Sequence, residues 1–230
     1  MLTALARILR LPIAATCAGR TDAGVHALGQ VIHFDTDADV EPGRLLRGLN
    51  AVLPQDIRCR SAELAPPGFD ARFSALWRRY QYRLTDTVPD PLTRNRVWAV
   101  PGPVDVALMK EAVAPLIGLH DFGSYCRPRP GATTIRGLAG CGWTRHDGEV
   151  WLDITADAFC HSMVRSIVGA SVEVGRGRRP AAWLAQLLAS PSREQAAPLA
   201  PPHGLVLQEV GYPPDDLLAA QVATARRRRV

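Results

Sequence analysis

A short loop rich in small residues brings together a carboxylate, a guanidinium and a hydroxyl group. The loop is Gly19-Arg-Thr-Asp-Ala-Gly24, and its acid is Asp22. Its glycines allow a second backbone or a ligand to come close, and Arg20 lies two residues from the acid, where its charge favours the ionised form. An ionised carboxylate can act as a nucleophile or a base. The purely structural alternative is an Asx turn, in which Asp22 only accepts hydrogen bonds from backbone amides.

Two apolar segments flank this loop and must position it. Residues 11–17 predict a strand before the loop, and residues 30–34, with their β-branched side chains, predict a second strand after it. Residues 1–11 are expected to be the end of an amphipathic helix. A second helix is predicted over residues 41–53, because its leucines recur at helical spacing, and Pro54 stops it.

The rest of the chain alternates helical and extended patterns. Asp105 is expected to cap a helix whose apolar positions run to residue 117, and His120-Asp-Phe-Gly-Ser124 is expected to end it. Asp147-Gly148 predicts the turn of a hairpin. Further helices are predicted over 159–174 and 181–189, strands over 79–84, 97–100, 135–144, 150–156 and 205–210, and short extended pieces over 56–63 and 72–74.

This order predicts an α+β fold of two α/β lobes, with largely antiparallel sheets flanked by helices and a cleft between the lobes. We expect an N-terminal lobe over residues 1–100 with the Asp22 loop, a C-terminal lobe over 101–215, and an Ala/Arg-rich tail over 216–230.

Composition points to a soluble globular protein with a polyanionic partner. The chain has 27 basic and 22 acidic residues, a formal charge of +5 and a pI of about 9.3. Most of the basic residues are arginine, and genomic base composition explains this as well as a polyanionic partner does. No apolar run approaches membrane-spanning length. The five cysteines are odd in number and contain no Cys-x-x-Cys pair, so neither a disulfide framework nor a zinc ribbon is expected, and a reducing cytoplasm fits better.

The longer string Gly19-Arg-Thr-Asp-Ala-Gly-Val-His-Ala27 resembles the catalytic motif of the TruA family of tRNA pseudouridine synthases. The resemblance implies a pseudouridine synthase fold, with Asp22 as the catalytic nucleophile on the target uridine. The reaction breaks a C–N glycosidic bond, turns the uracil and rejoins it through C5. It needs no metal and no cofactor, because nothing is oxidised overall.

Two later segments resemble further motifs of this family, in the same order. Phe159-Cys-His-Ser-Met-Val-Arg165 implies that Arg165 pairs with the catalytic aspartate, and Arg78-Arg-Tyr-Gln-Tyr82 implies that Tyr80 stacks on the extruded base. Arg20 and Arg72 are expected to form walls of the pocket or to contact phosphates. The alternative for Arg165 is a solvated arginine on a helix, and the alternative for Tyr80 is an ordinary aromatic residue of a strand. Tyr82 is a candidate core residue.

Other basic and histidine side chains give weaker signals. His161 is interpreted as a packing or phosphate-contacting residue, and His26 and His33 as packing residues. Arginines in turns near the motifs are candidates to line a groove for the RNA backbone: Arg78, Arg79, Arg127, Arg129, Arg176, Arg178 and Arg179.

The resemblance extends over residues 2–212. It implies a cytoplasmic homodimer without membrane contact that modifies uridines at positions 38–40 of the tRNA anticodon stem-loop. The family begins with a strand ahead of the first helix, whereas this chain begins inside that helix, and we interpret this as a start set too late. Two alternatives remain: a catalytically inactive, truncated tRNA-binding module of the same family, and an unrelated hydrolase that pairs Asp22 with His26 or His33.

Overall fold

The computed structural model describes residues 1–127, 129, 131–190 and 198–226. Within them lie nine strands and six α-helices. In chain order these are α1 (Leu2–Leu9), β1 (Thr16–Cys17), β2 (His26–Ala27), β3 (Ile32–His33), α2 (Pro42–Val52), β4 (Trp77–Thr85), β5 (Trp98–Ala99), α3 (Val106–Val113), β6 (Gly118–Asp121), β7 (Ile135–His146), β8 (Glu149–Ala156), α4 (Met163–Gly175), α5 (Trp183–Ala189), β9 (Leu205–Gly211) and α6 (Leu218–Arg226). None of these helices is both long and apolar enough to cross a bilayer.

Seven of the strands form one mixed sheet in the order β2-β9-β4-β8-β7-β6, with β5 paired to β4 outside this path. The long pairings are antiparallel. Strand β4 pairs with β8 and with β9, and strand β7 pairs with β6 and with β8. The short strands β2 and β5 join in parallel. A separate antiparallel pair, β1 with β3, brackets the Asp22 loop. The predicted α+β class with largely antiparallel sheets is confirmed.

One face of the large sheet is apolar, and helices cover it. In β8 the alternate residues Val150, Leu152, Ile154 and Ala156 are buried, while the residues between them are only partly covered. This two-residue period is typical of a strand with one face against a core. Burying a Leu or Ile side chain contributes about 1.5–3 kcal/mol. The helices α3, α4 and α5 supply the opposing side chains, so the sheet and the start of α4 are held in a fixed relation.

The hairpin between β7 and β8 is where the sequence predicts it. Asp147 and Gly148 have φ values of 37° and 86°, so both central residues occupy the left-handed region that a two-residue hairpin turn requires. The predicted helix caps are also present. Asp105 accepts hydrogen bonds from the amides of Ala107 and Leu108 at 2.9 and 3.1 Å.

A smaller apolar cluster lies beside the Asp22 loop. Leu5 of α1 packs with Leu45 and Leu49 of α2, and Ile32 and Phe34 cover this cluster from the segment after the loop. The two predicted N-terminal helices are therefore confirmed, and they support the strand pair that carries the loop.

Several local predictions are wrong. Residues 118–121 form the edge strand β6 rather than the end of a helix, because they pair with β7. Residues 56–63 and 72–74 form no strand. The helix predicted from residue 159 begins at Met163, because Ser162 has a left-handed φ of 68°. Cys126 and Cys160 are joined by a disulfide, although the cysteine pattern favoured free thiols.

The predicted lobe boundary at residue 100 and the predicted tail from residue 216 stay predictions. Strand β4, from the first predicted lobe, lies between β8 and β9 of the second. In the predicted tail, α6 runs to Arg226, and residues 227–230 lie outside the described residues.

Asp86 generates a prediction about acid stability. Its carboxylate accepts two hydrogen bonds from Arg145, both at 2.9 Å, and a third from the Val104 amide at 2.9 Å. The Arg145 hydrogen bonds have the largest effect on the pKa of Asp86, which falls from 3.8 to about 2. Burial opposes them, and the Val104 amide adds a further, smaller lowering. Because the pKa is lower in the folded state, the stabilisation is complete above about pH 4 and disappears as the pH falls through 2.

We therefore expect Asp86→Asn to lower the free energy of unfolding at pH 7 by about 1–2 kcal/mol. The difference from the unsubstituted chain should shrink between pH 4 and pH 2, as followed by urea unfolding at each pH. Asp216→Asn, at an exposed position, is the control. A deficit that stays constant down to pH 2 would contradict an ionic role for Asp86.

Candidate active site

A cavity of about 430 Å³ opens between the Asp22 loop, strand β4 and the segment that leads into α4. Five predicted site residues line it: Arg20, Asp22, Arg72, Tyr80 and Arg165. His161 and Phe159 line it as well, from the segment ahead of α4. The structure thus brings into one cavity side chains from both halves of the chain.

The backbone of the Asp22 loop is fixed on both sides of the acid. The Ala18 amide donates to the Val31 carbonyl at 2.8 Å, and the Gln30 side chain bonds both the amide and the carbonyl of Gly19, at 3.3 and 2.7 Å. After the acid, the Val25 amide donates to the Asp22 carbonyl at 3.0 Å. Asp22 is therefore held by a closed turn, while its carboxylate faces Arg165 and His161.

An ion pair joins Asp22 to Arg165 across 143 residues of sequence. Nη1 of Arg165 donates to Oδ2 of Asp22 at 2.9 Å, and the side chains are 13% and 30% exposed, respectively. Nε of Arg165 donates to the Ala200 carbonyl at 2.7 Å, so the guanidinium has a second anchor. A charge-assisted bond in this partly enclosed place fixes the position of the Asp22 carboxylate.

His161 lies on the other oxygen of the same carboxylate. Its Nε2 is 3.3 Å from Oδ1 of Asp22, and its side chain is 26% exposed. It precedes Ser162 and Met163, so it is outside the helix that carries Arg165, contrary to the helix predicted over residues 159–174. Its interpretation as a packing or phosphate-contacting residue missed this contact, because the turn at Ser162 has no signature in the sequence.

Tyr80 forms part of the cavity wall. Its ring is only 7% exposed and meets Phe159 edge to face, with the ring centroids 5.1 Å apart. Burial raises the pKa of Tyr80 to about 12, so its hydroxyl stays protonated at neutral pH. Tyr82, two residues later, is fully buried and donates to the Pro201 carbonyl at 2.9 Å, which makes it a core residue.

Arg78 has a structural position that the sequence did not reveal. It is 7% exposed, and its guanidinium donates to the carbonyls of Ala18 (3.0 Å), Ala75 (3.3 Å), Asp157 (2.7 Å) and Arg72. Burial lowers its pKa from the ordinary value. Arg78 lines the cavity, and its guanidinium also holds together three segments that surround it, so its expected contact with the RNA backbone stays a prediction.

The remaining predicted arginines separate into two groups. Arg20, Arg72 and Arg129 are exposed and line the cavity, and Arg136 joins them without having been predicted. Arg127 and Arg176 do not line it, and three further candidates interact elsewhere: Arg79 with Glu209 at 2.8 Å, Arg178 with Glu173 at 3.0 Å, and Arg179 over the Trp183 ring. Pro128 and Pro130 of the predicted basic loop lie outside the described residues.

The histidines of the alternative hydrolase are engaged away from the acid. Nε2 of His26 hydrogen-bonds the Asn95 carbonyl at 2.7 Å, and Nδ1 of His33 accepts from the Ala71 amide at 2.9 Å. Neither is paired with Asp22 among the described residues of the site. The interpretation as a hydrolase with an Asp22–His26 or Asp22–His33 pair is wrong.

Sequence comparisons show which proteins this chain is similar to. A family profile described as tRNA pseudouridine synthase matches residues 112–213. The chain is 51% identical to tRNA pseudouridine synthase A of Frankia casuarinae, with 99% of this chain and 84% of the relative covered. It is 52% identical to tRNA pseudouridine synthase A of Streptomyces griseus, with 93% and 78% covered, and 50% identical to that of Cutibacterium acnes, with 99% and 84% covered.

Arg78 generates a prediction about how the cavity is assembled. We expect Arg78→Gln to lower the free energy of unfolding by about 3 kcal/mol, because several buried carbonyls lose their donor. The measurement is equilibrium unfolding in urea. The matched control is Arg79→Gln on the same strand, whose exposed ion pair should be worth less than about 1 kcal/mol. Equal stabilities for the two variants would contradict the structural role of Arg78.

Proposed function

The chain belongs to the tRNA pseudouridine synthase A family, and on that premise we propose that it isomerises uridine to pseudouridine in tRNA, with Asp22 as the catalytic nucleophile. The observation that carries this proposal is the hydrogen-bonded pair of Asp22 and Arg165 inside a cavity that also contains Tyr80. The names and high identities of the relatives support the substrate class.

The reaction exchanges one bond for another and is balanced without an external reagent. The bond between uracil N1 and ribose C1′ breaks, a bond between C5 and C1′ forms, the C5 proton leaves and N1 gains a proton. Asp22 initiates this exchange by attack at C1′ or at uracil C6. Both routes begin from the ionised carboxylate, which the Arg165 guanidinium holds in place at 2.9 Å.

Tyr80 supplies an aromatic surface for the uracil. Taking a base out of its stack costs a few kcal/mol, and stacking on an aromatic side chain returns part of it. Phe159 supports the Tyr80 ring from its edge. With a pKa of about 12, the Tyr80 hydroxyl acts as a neutral hydrogen-bonding group rather than as a phenolate base.

The cationic rim suits the RNA backbone. Arg20 and Arg72 are exposed on the cavity wall, where their guanidinium groups can contact phosphates on either side of the extruded nucleotide. We propose positions 38–40 of the anticodon stem-loop as the modified sites; this follows from the resemblance of the Asp22 motif to the TruA family.

Two properties of the whole protein follow from the same resemblance. We propose a homodimer in which both subunits contact the tRNA, and a cytoplasmic location where tRNA is processed. Sedimentation should give twice the 24.9 kDa mass of one chain. A monomer at micromolar concentration would contradict the dimer. The alternative of an inactive tRNA-binding module has no specific observation in its favour, because Asp22, Arg165 and Tyr80 lie together in one cavity.

The nucleophile is tested by tritium release from tRNA labelled at uridine C5. We expect Asp22→Asn to reduce the single-turnover rate by roughly 10³-fold or more, because the amide lacks the negative charge. Its affinity for tRNA should stay within about threefold. Asp153→Asn, on β8 in a hydrogen bond with Gln81, is the control and should keep the rate.

The same assay tests the sites of modification. Transcripts in which uridines 38–40 are replaced by cytidine should release no tritium. Release from those transcripts would contradict the proposed positions, and full release with Asp22→Asn would contradict the nucleophile.

Two substitutions of Tyr80 distinguish stacking by its ring from chemistry at its hydroxyl. We expect Tyr80→Phe to keep the single-turnover rate within about tenfold, since the ring remains, and Tyr80→Ala to lose at least about 100-fold, since stacking on a base is worth about 1–3 kcal/mol and the cavity wall is also lost. The two rates are measured with saturating enzyme. Equal losses for the two variants would show that the hydroxyl, and not the ring, is required.

A further inference from the structure

We propose that His161 is a positioning residue that holds the second oxygen of Asp22. This inference rests on the proposed function, because it assigns a role within the same site. Nε2 of His161 lies 3.3 Å from Oδ1 of Asp22, while Nη1–H of Arg165 donates to Oδ2 at 2.9 Å. The two donors act on different oxygens of one carboxylate.

A single donor would leave the carboxylate free to turn. The terminal torsion of an aspartate side chain has a broad, roughly two-fold energy profile, so one hydrogen bond to one oxygen fixes the plane of the group weakly. A second donor on the other oxygen restricts this rotation. Asp22 then meets the nucleotide with its plane already set, and that lowers the reorganisation needed to reach the attacking geometry.

The backbone around His161 is itself held from two directions, as a positioning role requires. The Arg127 amide donates to the His161 carbonyl at 3.1 Å, and the Met163 amide donates to the Cys160 carbonyl at 3.1 Å. The imidazole is therefore presented to Asp22 by an anchored turn.

The position of the imidazole separates it from an ordinary core histidine. Its side chain is 26% exposed and lines the cavity, so it is neither fully packed nor free in solvent. The charged side chains that line the same cavity are Asp22 and six arginines (Arg20, Arg72, Arg78, Arg129, Arg136 and Arg165). Asp22 is the acid among them, and its Oδ1 lies 3.3 Å from Nε2 of His161. The contact therefore has a specific partner in the reacting carboxylate.

Two substitutions separate the donor from the ring. His161→Leu fills a similar volume without a donor, whereas His161→Gln keeps an amide N–H at comparable reach. We expect His161→Leu to lower the single-turnover rate of tritium release by about 10–100-fold, in the range found when an orienting partner of a reactive group is lost. His161→Gln should stay within about threefold of the unsubstituted chain. Both variants should bind tRNA with a Kd within about twofold.

The control is His120→Leu on the edge strand β6, which does not line the cavity and should keep the rate. Thermal unfolding confirms that each variant is folded. An unchanged rate with His161→Leu would overturn the proposal, and so would an equal loss with His161→Gln, because the ring and not the donor would then matter. Absence of activity in the unsubstituted chain would instead contradict the proposed function, so the two failures are distinguishable.

Discussion

The ion pair between Asp22 and Arg165 is the contact on which the site depends. It links a loop near the start of the chain to the first turn of α4, across 143 residues. The Asp22 side chain is 30% exposed, and the guanidinium 2.9 Å away gives its carboxylate a charged donor of fixed position. The pair also explains the strong anchoring around it: Gln30 holds the loop, and the Ala200 carbonyl holds the guanidinium.

A second cation makes this pairing possible by holding the surrounding backbone. Arg78 crosses from β4 to carbonyls of the Asp22 loop, the segment before β4 and the segment after β8. Buried carbonyls need donors, and one guanidinium has five N–H groups in a fixed plane. The site therefore uses its arginines in two ways: Arg78 and Arg165 have defined acceptors within the protein, while Arg20 and Arg72 line the open cavity.

Local signals made much of the fold predictable, and long-range contacts account for what was missed. The β7–β8 hairpin follows from an Asp-Gly turn between alternating strands, and the motif places Asp22 and Arg165 correctly in one cavity. The edge strand β6 was missed because its four residues become a strand only by pairing with β7. The backbone contacts of Arg78 and the Asp22 contact of His161 were missed for a related reason: their partners lie far away in sequence, and residue type alone cannot distinguish a surface arginine from one that binds buried carbonyls.

The central claim is that Asp22 is the group that meets the target nucleotide. The most direct test is a crystal structure of the Asp22→Asn variant bound to an unmodified tRNA. The account predicts that a uridine is extruded from the anticodon stem-loop into the 430 Å³ cavity, with C1′ or C6 about 3–3.5 Å from the side chain at position 22 and the base against Tyr80. An extruded uridine bound elsewhere, with position 22 facing away from it, would contradict the account.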